Sequence, residues 1–302
     1  MMSEHPPLGH ESRADLGADG GIHEVAPDIA YMRAAIVNVV FLGTPGAGRW
    51  VLVDAGLPGT AKLIERAAER RFGEGVPPAA ILLTHGHFDH VGSLETLLGR
   101  WQAPVYAHPL ERPYLDGIAA YPPPDPSVGG GLIASLSRFF PRAPIDLRPH
   151  LRDLPAADAV PSLLGWQWLH TPGHTPGHVS FWRESDRALL AGDAVITTRQ
   201  ESAYAVLSQT GELHGPPAYF TQDWDAARRS VELLAVLRPE ILVPGHGRAM
   251  RGSEMRALLA RLAEHFEQLA VPSQGRYVDE PARVDDGSAY DRAEARGGSA
   301  TA

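Results

Sequence analysis

The sequence predicts a layered α/β fold, and two features of its 302 residues carry that prediction. Short β-branched apolar runs bounded by Gly and Pro are typical of buried strands, and they occur in both halves of the chain. Between these runs lie amphipathic stretches whose apolar residues are three and four apart, which is typical of helices. Strands with intervening helices in each half favour a layered arrangement of sheets and helices.

In the first half, the predicted strands cover residues 35–43, 49–56, 79–85 and 104–108. A helix that starts at Thr60 as a candidate cap and stops near Gly73 is predicted from one apolar face, formed by Leu63, Ile64, Ala67 and Ala68. The segment VGSLETLLGRW (91–101) predicts a second helix between the last two strands. The first half is therefore expected to contribute one sheet with helices on it.

The second half resumes the alternation, with predicted strands at residues 166–170, 178–183, 187–193 and 240–247. A helix is predicted from about Gln222 to Leu237, with Trp224, Ala227, Val231 and Leu234 on one face. A last helix starts at Ser253 and carries helically spaced apolar residues, namely Met255, Leu258, Leu259, Leu262, Phe266 and Leu269. Strands that end in an acid occur in both halves, at Asp54 and Asp193, but this similarity is too short to establish a repeat.

Three segments depart from this pattern. Residues 1–22 are rich in Gly and charge, and residues 279–302 have few large apolar side chains, so both are predicted to be flexible. One folded domain is expected over 23–278. Within it, residues 116–150 contain a triple Pro and a triple Gly, which indicates either an irregular insertion or a flap over an active site.

Composition excludes several classes of site. The chain has no cysteine, so disulfides and thiolate metal ligands are ruled out. The net charge is −9 and no Lys/Arg-rich run occurs, so no nucleic-acid partner is expected. The first residues lack the pattern of a secretory signal, and no apolar run approaches the roughly 18 residues of a membrane span. These features predict a cytoplasmic protein without a membrane partner.

The segment ILLTHGHFDHVGS (81–93) concentrates metal-binding side chains directly after an apolar strand. Alternate side chains of an extended chain share a face, so His85 and His87 can point the same way. Asp89 and His90 follow where the chain turns into the next helix. A catalytic zinc needs only about three protein ligands, so this density of ligands hints at more than one metal. A lone HxH arises by chance, but HxHxDH after an apolar strand is a much more specific pattern.

Three further segments add candidate ligands. In LHTPGHTPGHVS (169–180), His174 lies between two Pro-Gly turns, which restrict a loop histidine. LLAGD places Asp193 at the end of a strand, where its two oxygens could bridge two cations. VPGHG places His246 between glycines after another apolar strand.

These segments, in this order, resemble the metallo-β-lactamase-fold hydrolase superfamily over about Ala35–Met250. TPGHTPGH and LLAGD look most like its glyoxalase-II-type and lactonase-type branches. The resemblance implies a four-layer αββα sandwich with two divalent metal ions at one edge of the sheets. The implied ions are Zn²⁺, with Fe or Mn as alternatives. The ligands it implies are His85, His87 and His174 for one metal, Asp89, His90 and His246 for the other, and Asp193 between them.

The resemblance also implies an activity. A hydroxide bridging the metals would attack a small carbonyl substrate, such as an ester, thioester or lactone, and Asp89 would help to move its proton. True metallo-β-lactamases usually carry Cys or Ser at the position of Asp193, which disfavours antibiotic hydrolysis as the main task. Two alternatives stay open: a mononuclear-iron oxygenase of the persulfide dioxygenase type, where a Cys usually replaces His178, and a non-catalytic metal-binding module.

Other polar residues receive supporting roles. Asp54, in VLVDAG, matches the acid that the family places behind its metal ligands, and the competing interpretation is an ordinary Asp in a turn. His178 could hold the His174 loop from behind, or be a buried structural histidine. Tyr204 and His214 are candidate substrate contacts, although ordinary loop or packing roles fit them as well. The oligomeric state is left open.

Overall fold

A computed structural model of the protein describes residues 18–19, 21–198 and 212–292. Within these residues, two mixed sheets lie face to face. The first sheet has the order β1-β2-β3-β4-β5-β6-β7-β9. Its strands are β1 (Ala18–Asp19), β2 (Ile22–Ala26), β3 (Ile29–Ala34), β4 (Val37–Leu42), β5 (Val51–Val53), β6 (Ala80–Leu82), β7 (Val105–Ala107) and β9 (Leu151–Asp153).

The second sheet has the order β10-β11-β12-β13-β14. Its strands are β10 (Trp166–His170), β11 (Val179–Arg183), β12 (Ala188–Gly192), β13 (Ile241–Pro244) and β14 (Met250–Arg251). A short pair, β8 (Ala119–Ala120) with β15 (Asp291–Arg292), lies apart from both sheets. The helices in the described residues are α1 (Ala61–Phe72), α2 (Phe88–Val91), α3 (Leu94–Trp101), α4 (Arg112–Leu115), α5 (Leu132–Leu136), α6 (Trp224–Val236), α7 (Gly252–Glu264), α8 (Phe266–Leu269) and α9 (Arg276–Asp279).

Alternation along the strands builds three apolar layers. In β5, Val51 and Val53 face the space between the sheets, whereas Leu52 faces α1 and α3. In β13, Ile241 and Val243 face the same inner space, whereas Leu242 faces α6 and α7. Each sheet therefore buries both of its faces, which explains why its strands appear in the sequence as continuous apolar runs. The four layers are helices, sheet, sheet and helices, as the αββα prediction requires.

The predicted strands and helices are present at the predicted positions, with ends that differ by a few residues. The β2–β3 hairpin was not predicted, because charged residues interrupt its apolar pattern. One of these, Glu24, forms an ion pair with the buried Arg71 of α1. The hairpin extends the first sheet from β4 toward β1. Its first residue, Ile22, is the last residue of the segment 1–22 that was predicted to be flexible, and the rest of the hairpin follows that segment. Of that segment, residues 1–17 and 20 lie outside the described residues.

Residues 279–292 belong to the segment that was predicted to be flexible, and several contacts join them to the rest of the chain. The Tyr114 hydroxyl donates a hydrogen bond of 2.7 Å to the backbone carbonyl of Ala289, which is completely buried. Asp291–Arg292 then pairs with Ala119–Ala120. Main-chain pairing and the small buried residues Ala282 and Ala289 join this segment to the rest of the chain, and its flexibility stays a prediction. Residues 293–302 lie outside the described residues. No helix in the described part of the chain has the length and apolar character needed to cross a bilayer.

Candidate metal centre

Strand ends from both sheets meet at one edge of the sandwich. β5 and β6 run parallel, and their carboxyl ends lead to Asp54 and His85. β12 and β13 are also parallel, and their carboxyl ends lead to Asp193 and His246. The carboxyl ends of parallel strands meet at the same edge of a sheet, so the topology brings these four residues together. The remaining candidate ligands come from the turn into α2 and from the loop between β10 and β11.

The structure brings all seven predicted ligands into one buried cluster. They form three overlapping groups whose candidate ligand atoms lie within 4.8 Å of one another, namely His85–His87–His174, His85–His90–Asp193 and Asp89–His90–His246. All seven side chains are buried, and Asp89 is the most exposed of them at 7%. Segments far apart in the chain thus converge on a single site with nitrogen and oxygen ligands.

The first cluster consists of His85, His87 and His174. His85 Nε2 lies 2.9 Å from His87 Nδ1, which lies 3.0 Å from His174 Nε2. Burial, together with neighbouring imidazoles, lowers the pKa of His85 and of His87 well below the usual value. Burial also lowers the pKa of His174, to about 4. The three rings are therefore neutral at physiological pH, which is the state that binds a metal.

Hydrogen bonds on the outer side determine which nitrogen of each ring carries the proton. The Thr84 hydroxyl donates to Asp54 at 2.8 Å, so its oxygen accepts from His85 Nδ1 at 3.1 Å. The Thr221 hydroxyl donates to a backbone carbonyl at 2.8 Å, so its oxygen accepts from His174 Nδ1 at 3.4 Å. Both inward Nε2 atoms are left with a lone pair, as a metal ligand requires.

The second cluster consists of Asp89, His90 and His246, with Asp193 shared between the clusters. His246 Nε2 lies 3.4 Å from Asp89 Oδ2, and His90 Nε2 lies 4.0 Å from the same oxygen. Asp193 Oδ1 is 3.5 Å from His90 Nε2, whereas its Oδ2 is 3.2 Å from His246 Nε2 and 3.4 Å from His174 Nε2. The two oxygens of one carboxylate therefore face both clusters.

The two histidines of the second cluster are oriented in the same way as those of the first. His90 Nδ1 donates to Asp54 at 2.8 Å, and His246 Nδ1 donates to the backbone carbonyl of Ile36 at 2.8 Å. The Asn38 side chain also donates to backbone carbonyls on either side of the His246 loop, at 2.8 and 2.7 Å. Residues of β4 and of the turn before it thus hold a candidate ligand that follows a strand of the second sheet.

Charges in the second cluster favour a cation. Burial opposes the charged form of His90, but Asp193, Asp54 and Asp89 hold its pKa well above the usual value. Burial likewise opposes ionisation of Asp193, but His246 and His90 hold its pKa well below the usual value. Burial raises the pKa of Asp89. The raised pKa of His90, despite its burial, means that the surrounding carboxylates favour a positive charge at this point of the site.

Unsatisfied buried atoms are consistent with a metal centre. Two atoms that face the interior of the cluster, His90 Nε2 and Asp193 Oδ1, are among the buried atoms of the described residues that have no hydrogen-bond partner. Buried polar atoms in folded proteins are rarely left unpaired, so such atoms call for an explanation, one of which is a bound ion. Imidazole and carboxylate ligands suit Zn, Fe and Mn. The residues present therefore fit divalent metals.

Comparison with known proteins identifies the family. The family model of the metallo-beta-lactamase superfamily matches residues 32–246, a range that contains all seven side chains. The chain belongs to the metallo-beta-lactamase superfamily. The probable metallo-hydrolase YflN of Bacillus subtilis (strain 168) is 47% identical to it over 251 residues, which cover 83% of this chain and 95% of that protein.

Solved structures of metallo-beta-lactamase superfamily type share the fold. A beta-lactamase domain protein from Burkholderia ambifaria has a TM-score of 0.57 at 24% identity, covering 86% of this chain and 81% of that one. The metallo-beta-lactamase family protein TTHA1429 from Thermus thermophilus has a TM-score of 0.56 at 23% identity, covering 81% of both chains. The predicted superfamily and its αββα fold are confirmed.

Three other residues were predicted to lie near the metals, namely His178, His214 and Tyr204, and of these His178 contacts the cluster. His178 is buried beside the cluster, where its Nε2 accepts the backbone N–H of Asp193 at 2.9 Å. Its Nδ1 faces the carbonyl of Thr171 at 3.1 Å, and burial lowers its pKa to about 3. His178 thus orients Asp193. His214 pairs with Glu212 at 3.0 Å and is not among the clustered groups, and Tyr204 lies outside the described residues.

Several residues around the site were not predicted from the sequence. The ring of His87 lies between Phe220, at 4.5 Å between ring centroids, and Tyr121, at 4.3 Å. Phe140 packs against Phe88 at 5.4 Å and belongs, like Tyr121, to the segment 116–150. These aromatic side chains lie outside any metal-binding motif, so their sequence positions alone contained no signal for the site. A further unpredicted residue, Glu111, lies behind the first cluster.

Proposed function

We propose that the protein is a dinuclear metal-dependent hydrolase that cleaves a small ester, thioester or lactone. One observation carries the proposal: seven buried nitrogen and oxygen ligands form two overlapping clusters that share Asp193. A structural metal site would be closed with about four ligands, so this larger set favours two metals and a catalytic role. The kinship with YflN, which is named a probable metallo-hydrolase, also supports hydrolysis.

The charge balance suits attack on a carbonyl group. When bound, divalent metals act as Lewis acids and lower the pKa of a coordinated water to about 7. Two such cations, of which Zn²⁺ is our first choice and Fe or Mn the alternatives, would exceed the negative charge of Asp89 and Asp193. The site would then keep a positive surplus, which is the sign that stabilises a developing oxyanion. The protein's overall negative charge does not oppose this, because the surplus is local.

Asp89 is our candidate for proton transfer. It is the most exposed of the seven groups, and its carboxylate lies at the solvent side of the second cluster, 3.4 Å from His246. A carboxylate in that position can orient the nucleophile and accept its proton before passing it to the leaving group. Burial raises the pKa of this carboxyl, which is the direction that favours accepting a proton.

The neighbouring aromatic rings suggest where the rest of the substrate binds. Phe88, Phe140 and Phe220 lie together beside His87, with ring centroids 5.4 to 6.5 Å apart. An apolar wall next to a polar reactive centre is the usual construction of a small-molecule site. Two of the residues near His87, Tyr121 and Phe140, come from residues 116–150, which supports the interpretation of this segment as an active-site flap.

Metal quantification followed by activity assays tests the proposal. We expect about two metals per chain and turnover of at least one thioester, ester or lactone, with slower reaction of phosphodiesters and β-lactams. One iron per chain with oxygen consumption on a persulfide would support the oxygenase alternative instead. Two metals with no turnover on any of these substrates would support a metal-binding module.

A further inference from the structure

Glu111 is an acidic residue in the interior that the proposed chemistry does not use. It ends a short helical turn, Pro109–Glu111, that follows β7, and its side chain is completely buried. Burying a carboxylate is unfavourable unless several donors satisfy it. Its two oxygens accept hydrogen bonds from four groups: the backbone N–H of Gly86, the backbone N–H of Gly177, the Thr175 hydroxyl and the Tyr121 hydroxyl.

These donors include groups of the two loops that supply the first cluster. Gly86, between His85 and His87, donates to Oε2 at 2.9 Å. On the other loop, directly after His174, the Thr175 hydroxyl and the Gly177 N–H each donate to Oε1 at 2.8 Å. One carboxylate therefore joins a segment 25 residues before it to a segment 66 residues after it. Glu111 is the point at which their backbones are tied together.

Both loop glycines are needed for this approach. A Cβ atom on Gly177 would lie 2.8 Å from the Cγ, backbone N and Oε1 atoms of Glu111. A Cβ atom on Gly86 would lie 2.8 Å from the Tyr121 hydroxyl and 3.5 Å from Glu111 Oε2. Distances below 3.0 Å require something to move, so a side chain at Gly177 would push Glu111 away from its loop, and one at Gly86 would push away the Tyr121 hydroxyl that donates to Glu111. The glycines in HGH and PGH thus have a structural reason that involves Glu111.

Tyr121 completes the arrangement. Its hydroxyl donates to Glu111 and accepts from the Gly86 N–H at 2.9 Å, while its ring lies against His87. Tyr114 stacks on Tyr121 with ring centroids 3.7 Å apart, but its own hydroxyl donates to Ala289. Of these two adjacent buried tyrosines, only Tyr121 has its hydroxyl in the Glu111 network.

We propose that Glu111 is a positioning residue for the first metal. By tying the backbones of the two loops, it sets the separation between the His85–His87 pair and His174. It acts through main-chain groups, unlike Asp54, which contacts His90 directly. The inference rests on the metal centre proposed above and is independent of the substrate class. Outer hydrogen-bonding partners of metal ligands typically contribute about 10- to 100-fold to metal affinity.

The Glu111→Gln variant tests the inference. The amide keeps the size of the side chain but places an NH₂ group opposite N–H and O–H donors, so one loop loses its acceptor. We expect zinc affinity of the first cluster, measured by competition with a chromophoric chelator, to fall about 10- to 100-fold. The Co²⁺ absorption spectrum should change in the same variant. Circular dichroism and thermal unfolding of the metal-free protein show whether the variant is folded.

Matched variants separate positioning from general packing. Thr175→Val removes one donor, whereas Thr175→Ser retains it, so only the first should weaken zinc binding. Tyr121→Phe should weaken zinc binding more than Tyr114→Phe, although each removes one buried hydroxyl. These pairs also decide the matter if Glu111→Gln does not fold. A folded Glu111→Gln variant with wild-type affinity and spectrum, or equal effects within both pairs, overturns the inference. A wild-type protein that binds no metal overturns the proposed function instead.

Discussion

The two halves of the centre are built from different chemistry. The first cluster has only imidazoles, and burial keeps His85, His87 and His174 neutral by lowering the pKa of each. The second cluster mixes imidazoles with carboxylates. Burial there opposes charge, but the acids raise the pKa of His90 and of His246, and both histidines approach Asp193 within 3.5 Å. One half is a set of neutral lone-pair donors, and the other is a set of ion pairs.

This difference explains why the halves are held in place differently. In the second cluster, opposite charges attract one another, so the metal-free arrangement is stabilised from within. In the first cluster, the inward nitrogens of His85 and His174 both carry lone pairs, and only His87 can supply a proton between them. Neutral rings that share only the one proton of His87 lack the attraction between opposite charges and need support from behind, which Thr84, Thr221 and the Glu111 network provide. The comparison therefore predicts which contacts matter for each half.

Removing the group that the halves share should have the largest effect. In Asp193→Ala, both clusters lose an oxygen ligand, so we expect metal content to fall and hydrolysis to decrease about a thousandfold or more, since metal catalysis contributes several kcal/mol. Elemental analysis and kcat/KM measurements check this. Asp153→Ala is the control, because Asp153 is half-exposed and pairs with Arg112 rather than with a candidate ligand. Two retained metals with a near-normal rate would exclude the bridging role.

Removing one ligand from each half tests the division itself. His174→Ala leaves the second cluster complete, and His246→Ala leaves the first complete. Each variant should therefore lose about one of two metals and most of its activity, and the two should leave different residual sites. The Co²⁺ spectra after dialysis should accordingly differ, with three imidazoles and Asp193 left in the His246→Ala variant and two imidazoles with Asp89 and Asp193 left in the His174→Ala variant. Identical spectra would mean that the halves are not separate sites.

The parts of the molecule that could be predicted from the sequence are those with local patterns. The strands of the sandwich alternate between two apolar layers, so their residue types alone reveal them, and the fold prediction is confirmed. The seven candidate ligands follow strand ends or lie in Pro-Gly turns, where local sequence restricts their position. The structure brings these seven together, although their role as metal ligands stays a prediction.

Apart from Asp54 and His178, the supporting partners could not be predicted, because nothing local identifies them. Thr221 reaches His174 from 47 residues away, and the carbonyl of Ile36 reaches His246 from 210 residues away. A backbone carbonyl has no sequence signature. In the sequence, Glu111 looks like any acidic residue in a short helical turn, and only the fold shows that it lies between two loops. Gly86 and Gly177 were a clue to a close contact at these two loops, but the reason for them depends on a third segment, the one that contains Glu111. Long-range hydrogen bonds are a property of the packed structure.

Variants of these outer partners should therefore have intermediate effects, and different ones in the two halves. Thr84 and His90 both donate hydrogen bonds to the Asp54 carboxylate. Asp54→Asn replaces one of its acceptor oxygens with an NH₂ group, so the proton of His90 is no longer held on Nδ1 and Nε2 can lose its lone pair. We expect about 10- to 100-fold weaker metal binding. Thr221→Val removes only a contact of 3.4 Å and should cost less. Chelator competition ranks the two, and a larger effect of Thr221→Val would contradict this ranking by the number and length of the hydrogen bonds.

The smallest effect is expected where a side chain contacts substrate without supporting a metal. Phe140 packs on Phe88 and lies 6.1 Å from Phe220, whereas its neighbour Phe139 is 69% exposed. Phe140→Ala should raise KM for an apolar ester roughly fivefold, because a lost apolar contact is worth about 1 kcal/mol, with metal content unchanged. Phe139→Ala, the matched control, should leave both unchanged. If Phe140→Ala lowered metal content instead, Phe140 and the segment 116–150 would help to support the first cluster and would not only contact the substrate.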